Sequence, residues 1–458
     1  MSQLLSVNPF TLEVIQSYVC HSEQDINNML DGSVAASAHW KRRSIEERLF
    51  CLQALKRNLF AQREGFAKLI VAEMGKLYRE ALAEIDKSMS LCDYYLADGL
   101  EVLKGRSLSS DAKSSGVLYE PMGIVLGIMP WNFPFWQAFR FLVPALMAGN
   151  VVLLKHAGNV TGCSLAIERL FGQSFPFGCV RSILLHGSDM ERIIQHPAIA
   201  AISLTGSEQV GRKVASVAGS ALKPLVLELG GSDPLIIFGD ADLEQAARMA
   251  CISRFQNAGQ SCIAAKRFLV HRSIKQDFLD KLKNQIAGLV LGDPMDSQTG
   301  IAPLAKSNFV QDLHKQVQTT LAEGGELLLG GSPFGENNAF YLPTIIDNVT
   351  PFMTAGREEL FGPVAAIMSF AEPEEAISLA NSTRFGLGSA VFTFNQTLIN
   401  LCKNELQAGS VFINGMVKSH PGLPFGGTKA SGYGRELANE GLLAFSNPKT
   451  FWEMGEIS

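Results

Sequence analysis

One cysteine and one glutamate stand in segments where their side chains could carry out covalent chemistry on a carbonyl group. Cys262 ends the segment FQNAGQSC, and Glu228 lies in LELGG, at the end of an apolar stretch. A thiolate adds readily to a carbonyl carbon. A carboxylate can then activate the water that releases the acyl group. The pair predicts acyl-thioester chemistry, and the alternative is two buried side chains that never meet.

Two series of alternating strands and helices are predicted to position these residues. Between Gly123 and Leu229, helical patterns separate the apolar segments GIVLGIMP, VVLLK, SILLHG, AAISLTG and LVLELGG. Continuous apolar runs of this length are typical of buried parallel strands. After Gly230 and Gly231 a second series follows, with PLIIF, RFLVH, ELLLGG, AAIMSF and SAVFTF. The pattern predicts two doubly wound α/β domains, with Glu228 and Cys262 near the cleft between them.

Composition limits the kind of partner that this protein can have. The chain has 458 residues, of which 47% are apolar and 18% charged, and this is typical of a globular enzyme. A net charge of -5 without a basic block gives no reason to expect nucleic acid. No apolar run approaches the roughly 20 residues that span a bilayer, and the N-terminus does not resemble a signal peptide. The 8 cysteines include no CxxC pair, so we predict a reducing, cytoplasmic location and no metal site.

Three more motifs lie where ligands bind in open α/β folds. Gly206 and Ser207 follow a predicted strand and begin a helix, whose free N–H groups favour a phosphate. Lys155 ends another predicted strand, and a solvent-exposed lysine is the alternative interpretation. Asn132 lies between the two prolines of PWNFP, where its amide could hold an oxyanion or cap the following helix. The dinucleotide fingerprint GxGxxG is absent.

Seven motifs occur in the order found in the aldehyde dehydrogenase superfamily. They are PWNFP, the strand that ends in Lys155, LTGS, LELGG, FQNAGQSC, EELFGPV and PFGGTKASG. The chain resembles this superfamily from about residue 5 to its C-terminus, and it is similar to the succinate-semialdehyde dehydrogenases among its members. The resemblance implies the aldehyde dehydrogenase fold, with a Rossmann-like cofactor domain, a catalytic domain and a small oligomerisation arm.

The resemblance assigns a role to each motif residue. It implies that Cys262 is the nucleophile, Glu228 the base that activates the deacylating water, and Asn132 part of an oxyanion hole with the backbone N–H of Cys262. The implied reaction is the NAD(P)-dependent oxidation of an aldehyde to a carboxylic acid, through a thiohemiacetal and a thioester on Cys262. The residues implied to bind the cofactor are Trp131, Lys155, Gly158, Gly206, Ser207, Leu229, Glu359 and Phe361.

The chain departs from the family pattern just after Lys155. His156-Ala157-Gly158 stands where relatives often have Pro-Ala-Glu or Pro-Ser-Glu. In relatives that prefer NAD, this glutamate binds the ribose hydroxyls and would repel a 2′-phosphate. Gly158 removes that repulsion, so we expect NADP to be accepted as a cofactor. Whether NADP or NAD is preferred stays open. The phosphate is expected near Lys155 and His156, unless Gly158 is neutral and other contacts bind NAD.

The substrate prediction depends on Arg140, the one cation of an otherwise apolar predicted helix. A buried arginine needs an anion. Relatives that oxidise succinate semialdehyde have arginine at this position, so the substrate carboxylate is the expected anion and an internal carboxylate is the alternative. Where such relatives often have a second arginine, this chain has Gln256. With Ser419 and His420 as further contacts, the resemblance favours succinate semialdehyde, and glutarate semialdehyde or a broader range stays open.

The family also suggests how the chain divides into domains. Residues 1–104 and 122–229 are predicted to form the cofactor-binding domain, and residues 230–435 the catalytic domain. Segments 105–121 and 436–458 are predicted to form the arm. In the family such segments pair across subunits, so a homodimer or homotetramer is expected.

Alternatives of other classes use the same fold. A relative that passes the acyl group to coenzyme A is disfavoured because Glu228 is retained. A noncatalytic binding or structural protein is disfavoured because Cys262, Glu228 and Asn132 occur together. A reductase of acyl phosphates would not be expected to have both PWNFP and LELGG.

Overall fold

The computed structural model describes residues 2–97, 99–335 and 339–454. The final four residues of the predicted arm segment 436–458 therefore lie outside the described residues. No helix within the described ranges is both long enough and apolar enough to cross a membrane.

The N-terminal part of the chain forms a hairpin, four helices and two further strands. Ser22 and Ser44 begin the first two helices with capping boxes, in which Asp25 and Glu47 bind back to the backbone N–H of the capping serine. The elements are β1 (Gln3–Val7), β2 (Val14–Val19), α1 (Glu23–Trp40), α2 (Ile45–Ala61), α3 (Arg63–Met74), α4 (Tyr78–Ala97), a 3-10 turn (Glu101–Lys104), β3 (Arg106–Ser107) and β4 (Ser114–Pro121).

The first sheet follows, and its β-α alternation was predicted correctly. Its elements are β5 (Ile124–Met129), α5 (Pro134–Met147), β6 (Val151–His156), a 3-10 turn (Gly158–Val160), α6 (Thr161–Gly172), β7 (Val180–Ser182), a 3-10 turn (Gly187–Asp189), α7 (Met190–Gln195), β8 (Ile199–Thr205), α8 (Glu208–Ser220) and β9 (Leu225–Glu228). The strands lie parallel in the order β9-β8-β5-β6-β7. The carboxyl ends of the neighbouring strands β9, β8 and β5 therefore lie along one edge of the sheet. This edge carries Glu228 at the end of β9, the Gly206 turn after β8 and PWNFP after β5.

One predicted strand of this sheet is much shorter than expected. SILLHG was predicted as a strand, but β7 ends at Ser182. Beyond it, the backbone of Leu184 bonds to His21 instead of a neighbouring strand. The N–H of Leu184 donates to His21 Nδ1 at 3.1 Å, and its carbonyl accepts from the His21 N–H at 2.9 Å. The chain thus leaves the ladder to pack on the N-terminal hairpin region.

The second sheet has seven strands in the order β14-β17-β18-β11-β10-β19-β20. All neighbouring pairs are parallel except β14, which pairs antiparallel with β17, so ELLLGG is an edge strand of opposite direction. The elements are β10 (Asp233–Ile237), α9 (Leu243–Phe255), a 3-10 turn (Gln256–Gly259), β11 (Ala265–His271), a 3-10 turn (Arg272–Ile274), α10 (Lys275–Ala287), β12 (Val290–Leu291), β13 (Thr299–Ile301), α11 (Ser307–Ala322), β14 (Glu326–Leu329), β15 (Pro333–Phe334), β16 (Phe340–Tyr341), β17 (Thr344–Asp347), α12 (Thr354–Arg357), β18 (Val364–Phe370), α13 (Pro373–Asn381), β19 (Ser389–Phe392), α14 (Gln396–Glu405) and β20 (Val411–Ile413).

The C-terminal part returns to the first sheet and ends in a strand within the segment that was predicted to form the arm. Its elements are a 3-10 turn (Lys429–Ser431), β21 (Gly432–Tyr433), α15 (Ala438–Leu443) and β22 (Ser446–Glu453). β21 pairs antiparallel with β9 and completes a six-stranded sheet. β22 pairs with the whole of β4, which also pairs with β3, so the exposed strand pair expected in 105–121 belongs to a three-stranded sheet.

Candidate active site

Two cavities meet at the thiol of Cys262. The larger has a volume of about 680 Å³ and lies between α4, α5, the segment that carries Cys262, and the loop 416–421. The smaller, of about 440 Å³, is lined by PWNFP, the Gly206 turn, helix α11 and the loops that carry Leu229 and Glu359. Among the described residues, Cys262 and Gln137 line both cavities. A ligand in either cavity can therefore approach the same thiol.

The backbone before Cys262 runs through three consecutive residues in the left-handed region. Their φ angles are 54° at Asn257, 52° at Ala258 and 74° at Gly259. A Cβ atom at Gly259 would lie 2.4 Å from the carbonyl oxygen of Gly362, so only glycine fits there. Such conformations persist where surrounding contacts hold them, and they cluster at functional sites.

Buried side chains hold this strained turn in place. Arg254 donates to the carbonyls of Gly259 at 2.6 Å and Ala265 at 3.2 Å. Asn257 Nδ2 donates to the Asn132 carbonyl at 3.1 Å, which ties the turn to PWNFP. Lys266 Nζ binds the Cys262 carbonyl at 2.6 Å. Arg254 therefore acts on the backbone and does not face the larger cavity.

Asn132 is oriented toward the Cys262 turn and not toward the helix that follows it. Its Nδ2 donates to the carbonyl of Gln260 at 3.1 Å, and the residue lines the smaller cavity together with Cys262. The capping alternative is excluded by Glu84, whose Oε1 accepts from the N–H groups of Phe135 at 2.8 Å and Trp136 at 3.0 Å at the start of α5. The amide group of Asn132 retains a second N–H that can bind an oxygen.

Burial raises the pKa of the Cys262 thiol to about 11. Arg140 and Lys266 lower this pKa, and Glu359 and Asp233 raise it, but loss of hydration is the largest cause. The resting thiol is therefore protonated at neutral pH. Its proton has to leave as the sulfur becomes a nucleophile.

The carboxyl of Glu228 does not reach either cavity wall, although the cleft prediction placed it beside Cys262. Glu228 is 2% exposed, and no hydrogen bond within the described residues reaches its two oxygens. It packs against Gly426, where a Cβ atom would come within 2.6 Å of Oε1. Burial, and then the nearby carboxyl of Glu436, raise the pKa of Glu228 well above its usual value. Burial thus disfavours the ionised form of this carboxyl, and neither cavity has Glu228 in its wall.

The smaller cavity has the features of a site for an aromatic ring and a phosphate. Trp131 stacks on Phe309 with ring centroids 4.9 Å apart and meets the edge of Phe361 at 5.7 Å. Ser207 caps α8 by accepting from the N–H of Val210 at 3.4 Å, at a helix N-terminus that attracts anions. The predicted residues that line this cavity are Trp131, Gly206, Ser207, Leu229, Glu359 and Phe361.

Glu359 already has partners in this structure. Its carboxylate lies 3.2 Å from Lys266 Nζ, and it accepts from the Gly231 N–H at 3.2 Å. These contacts fix the carboxylate at the wall of the smaller cavity, where it can accept hydrogen bonds from hydroxyl groups. The aromatic rings, the capped helix and this carboxylate match the parts of a nicotinamide dinucleotide.

Lys155 and Gly158 lie outside the walls of both cavities. Lys155 is half-buried at the end of β6, and burial lowers its pKa, with a smaller effect of Lys306. Gly158 begins a 3-10 turn, and a Cβ atom there would lie 3.2 Å from Leu4 Cδ2.

His156 was expected near a cofactor phosphate, and this expectation is wrong. Its ring is buried, with Nε2 2.8 Å from the Pro134 carbonyl and Nδ1 accepting from the Ala157 N–H at 3.1 Å. Burial lowers its pKa to about 4, so the ring is neutral. Both ring nitrogens are used inside the core.

Arg140 lines the larger cavity, and a carboxylate of the protein itself balances its positive charge. The side chain is buried and forms an ion pair with Glu436, which follows β21. Its guanidinium also lies 4.5 Å from the ring of Phe425 and donates to Thr205 Oγ1 at 3.4 Å. An internal carboxylate, the alternative interpretation, therefore balances this charge, and contact between Arg140 and a substrate carboxylate stays a prediction.

The other predicted substrate residues also line the larger cavity. Gln256 is exposed, and His420 is exposed with Nδ1 accepting from the Gly422 N–H at 3.2 Å. Ser419 is buried, and its Oγ accepts from Trp136 Nε1 at 3.0 Å and from Lys87 Nζ at 2.7 Å.

Lys87 is a residue of the larger cavity that was not predicted from the sequence. A signal was present in α4, where Glu80, Glu84 and Lys87 recur at three- and four-residue spacing on a helix that buries apolar residues. Charges at such spacing are usually solvated, and only the packing of α4 beside α5 places these three against the larger cavity.

Comparison with known proteins agrees with this architecture. The model of the aldehyde dehydrogenase family matches residues 2–451. A probable succinate-semialdehyde dehydrogenase (NADP+) from Synechocystis is 42% identical over 450 residues, which cover 98% of this chain and 99% of that protein. A succinate semialdehyde dehydrogenase (NAD(P)+) from Escherichia coli is 41% identical, with coverage of 98% and 97%. The solved structure of a Streptococcus pyogenes succinic semialdehyde dehydrogenase in complex with NADP+ superposes with a TM-score of 0.96, at 33% identity, covering 99% of this chain and 100% of that one. The chain belongs to the aldehyde dehydrogenase family.

Proposed function

We propose that this aldehyde dehydrogenase oxidises succinate semialdehyde to succinate, with NADP as a cofactor and NAD as an alternative. The observation that carries the proposal is the position of Cys262, at the junction of a cavity with aromatic and carboxylate walls and a second cavity with cationic groups. The names of the relatives at 41–42% identity support the choice of substrate and cofactor.

The first step uses Cys262 and Asn132. As the thiol proton passes to solvent water, Sγ forms a bond to the aldehyde carbon, and the electron pair of the broken C–O π bond makes the carbonyl oxygen an oxyanion. Asn132 Nδ2 and the backbone N–H of Cys262 hold this charge, at an amide that is already aimed at the Cys262 turn. The product of this step is a thiohemiacetal on Cys262.

The cofactor is assigned to the smaller cavity. Trp131, Leu229, Glu359 and Phe361 would hold the nicotinamide riboside, and Gly206 with Ser207 would hold the pyrophosphate. Lys155 and Gly158 would lie at the adenine-side ribose. When bound, the nicotinamide would supply a hydride acceptor next to Cys262, which is the chemistry that oxidation of the thiohemiacetal to a thioester needs.

The last step assigns Glu228 as the base. It takes a proton from water, the hydroxyl adds to the thioester carbon, and the carbon–sulfur bond breaks. The leaving thiolate takes the proton back from Glu228, which gives the carboxylic acid and the free thiol. Because Glu228 is packed against Gly426, its side chain has to rotate toward Cys262 for this step. Glu228 acts as a base only in its ionised form, which burial in the present position disfavours by raising its pKa.

A steady-state panel tests the proposed function directly. Succinate semialdehyde, glutarate semialdehyde and butanal are each assayed with NADP and with NAD, without coenzyme A or phosphate. We expect the highest kcat/KM for succinate semialdehyde with NADP. Equal values for butanal and succinate semialdehyde would refute the substrate assignment, and turnover only after addition of coenzyme A would indicate acyl transfer.

Gly158→Glu is expected to raise the KM for NADP about 10-fold more than the KM for NAD. The new carboxylate would repel a 2′-phosphate, whereas it could accept a hydrogen bond from a 2′-hydroxyl. The measurement is the pair of KM values with saturating aldehyde.

Gly158→Gln is the matched control for size. Either side chain has to displace the end of the Leu4 side chain slightly, because the new Cβ would lie 3.2 Å from Leu4 Cδ2. Only the glutamate adds a charge. Equal changes for both cofactors, or equal effects of the two variants, would show that Gly158 is not beside the ribose.

The protein is also proposed to be a homodimer or homotetramer. β22 is an edge strand of the arm, and β3 covers only a short part of the other edge of β4. The arm exposes Leu118 and Trp452, and unpaired edges with exposed apolar side chains favour a partner strand. Light scattering at micromolar concentration is expected to give two or four times the chain mass of 49.6 kDa. A single-chain mass would contradict this.

The cytoplasm is the proposed location. All eight cysteines are free thiols, and several are buried in the cores of the two sheets. This state is typical of a reducing compartment.

A further inference from the structure

Lys87 places an ammonium group at the wall of the larger cavity. The residue lies on α4, and its Nζ is 2.7 Å from Ser419 Oγ and 4.4 Å from the centre of the Trp136 ring. The cavity that these residues line also contains Cys262. A molecule held by Lys87 thus shares a cavity with the proposed nucleophile.

The acidic side chains around Lys87 are engaged elsewhere. Glu84 forms a buried ion pair with Lys76 and accepts two N–H groups at the start of α5. Glu436 is paired with Arg140. Glu80 accepts from the N–H of Asn257 at 3.1 Å. Within the described part of the chain, no ion pair includes Lys87.

Lys87 is therefore a poorly hydrated ammonium group that has no ion-pair partner among the described residues. Burial lowers its pKa to about 7. Arg140 also lowers this pKa and Lys76 does so more weakly, while Glu84 and Cys262 raise it. An anion in the cavity would offset the cost of removing this charge from water.

Ser419 completes a site for a carboxylate. Its Oγ accepts from both Lys87 and Trp136, so its own O–H is available to donate. Among the residues that the structure describes, no hydrogen bond uses that proton. The ammonium and the hydroxyl lie side by side, and together they can bind the two oxygens of one carboxylate.

We propose that Lys87, with Ser419, binds the distal carboxylate of the aldehyde substrate and so selects anionic ω-carboxy aldehydes over uncharged ones. The inference rests on the proposed function and identifies the residue that gives it specificity. Arg140, paired with Glu436, lines the same cavity and adds positive charge to it.

Lys87→Met tests the inference because methionine keeps the length of the side chain and removes the charge. For succinate semialdehyde, kcat/KM is expected to fall on the order of 30-fold or more, mainly through KM. For butanal, kcat/KM should change less than about 3-fold. This second value also reports that the variant is folded and that its catalytic groups are intact.

Lys418→Met is the matched control. Lys418 also lines the larger cavity, but its side chain is exposed. Its loss should leave the ratio of the two kcat/KM values near that of the wild type. Lys87→Arg keeps a cation and is expected to restore part of the preference. An equal or larger effect of Lys418→Met would overturn the assignment to Lys87.

A binding measurement separates this role from catalysis. Succinate, the proposed product, is titrated by calorimetry into wild type and Lys87→Met without cofactor. We expect wild-type affinity to fall as pH rises through about 7, because Lys87 loses its proton there, and we expect the variant to bind weakly at every pH. A pH-independent wild-type affinity equal to that of the variant would refute the inference.

The two proposals fail in different ways. If the wild type shows no preference for succinate semialdehyde over butanal, the proposed substrate is wrong. If the wild type has that preference and Lys87→Met retains it, the substrate assignment stands and the role of Lys87 is refuted.

Discussion

Cys262→Ala is expected to lower aldehyde oxidation by about 10⁴-fold or more with every aldehyde tested. The reaction depends on a carbon–sulfur bond, and no other group at the junction of the two cavities can replace the sulfur. Of the eight free cysteines, Cys262 alone lines both cavities. The loss should therefore appear in kcat, with cofactor binding nearly unchanged.

The measurement combines turnover with cofactor affinity. NADP binding is followed through the fluorescence of tryptophan, since Trp131 lines the smaller cavity. Cys20→Ala is the matched control, because Cys20 is also a partly exposed free thiol but lies outside both cavities. Normal activity in Cys262→Ala, or a comparable loss in Cys20→Ala, would contradict the assignment of the nucleophile.

The fold was predictable because its signals are local and repeated. Apolar runs separated by helical patterns indicate parallel strands, and adjacent parallel strands place their carboxyl ends together. This is why the sequence alone predicts Asn132, Ser207 and Glu228 along one sheet edge. The prediction of a strand at SILLHG was wrong because the backbone of Leu184 forms hydrogen bonds with His21. His21 is distant in the sequence, so no local pattern reveals this contact.

Pairing between distant side chains was the least predictable part of the site. The sequence showed that a buried Arg140 needs an anion, but both a substrate and an internal carboxylate satisfied that requirement. Glu436 lies far away in the chain and reaches Arg140 only because β21 joins the first sheet beside β9. Lys87 was not predicted for the same reason. Whether it forms an ion pair depends on the partners of Glu84 and Glu436, which only the folded structure shows.

The strained turn before Cys262 shows a third reason why part of the site could not be predicted from the sequence. Glycine readily adopts the left-handed region found at Gly259, but Asn257 and Ala258 adopt the same region without being glycine. Their conformation is imposed by bonds from Arg254 and to Asn132. Tertiary contacts outweigh local preference here.

Glu228→Gln is expected to give one rapid burst of reduced cofactor, followed by a steady rate at least about 100-fold below that of the wild type. Glutamine has nearly the same shape, but it cannot take a proton from water. Formation of the thioester does not need this base, so the burst should approach one equivalent per active site. Stopped-flow absorbance measures both phases, and mass spectrometry of the quenched enzyme should find the acyl group on Cys262.

The pH dependence gives a second signature of Glu228. Burial and the carboxyl of Glu436 raise its pKa, so the ionised base becomes more abundant as pH rises through that value. Wild-type deacylation should therefore speed up with pH over that range, and the Gln variant should lack this acceleration.

Hydroxylamine separates a missing base from a damaged site. It attacks a thioester without the help of a general base, so it should restore turnover in Glu228→Gln by releasing the acyl group from Cys262. The burst shows that the oxyanion hole and the cofactor cavity still work, and the rescue shows that only the activation of water was lost. A normal steady rate without hydroxylamine would mean that another group activates water, and the retracted position of Glu228 against Gly426 would then be its permanent place.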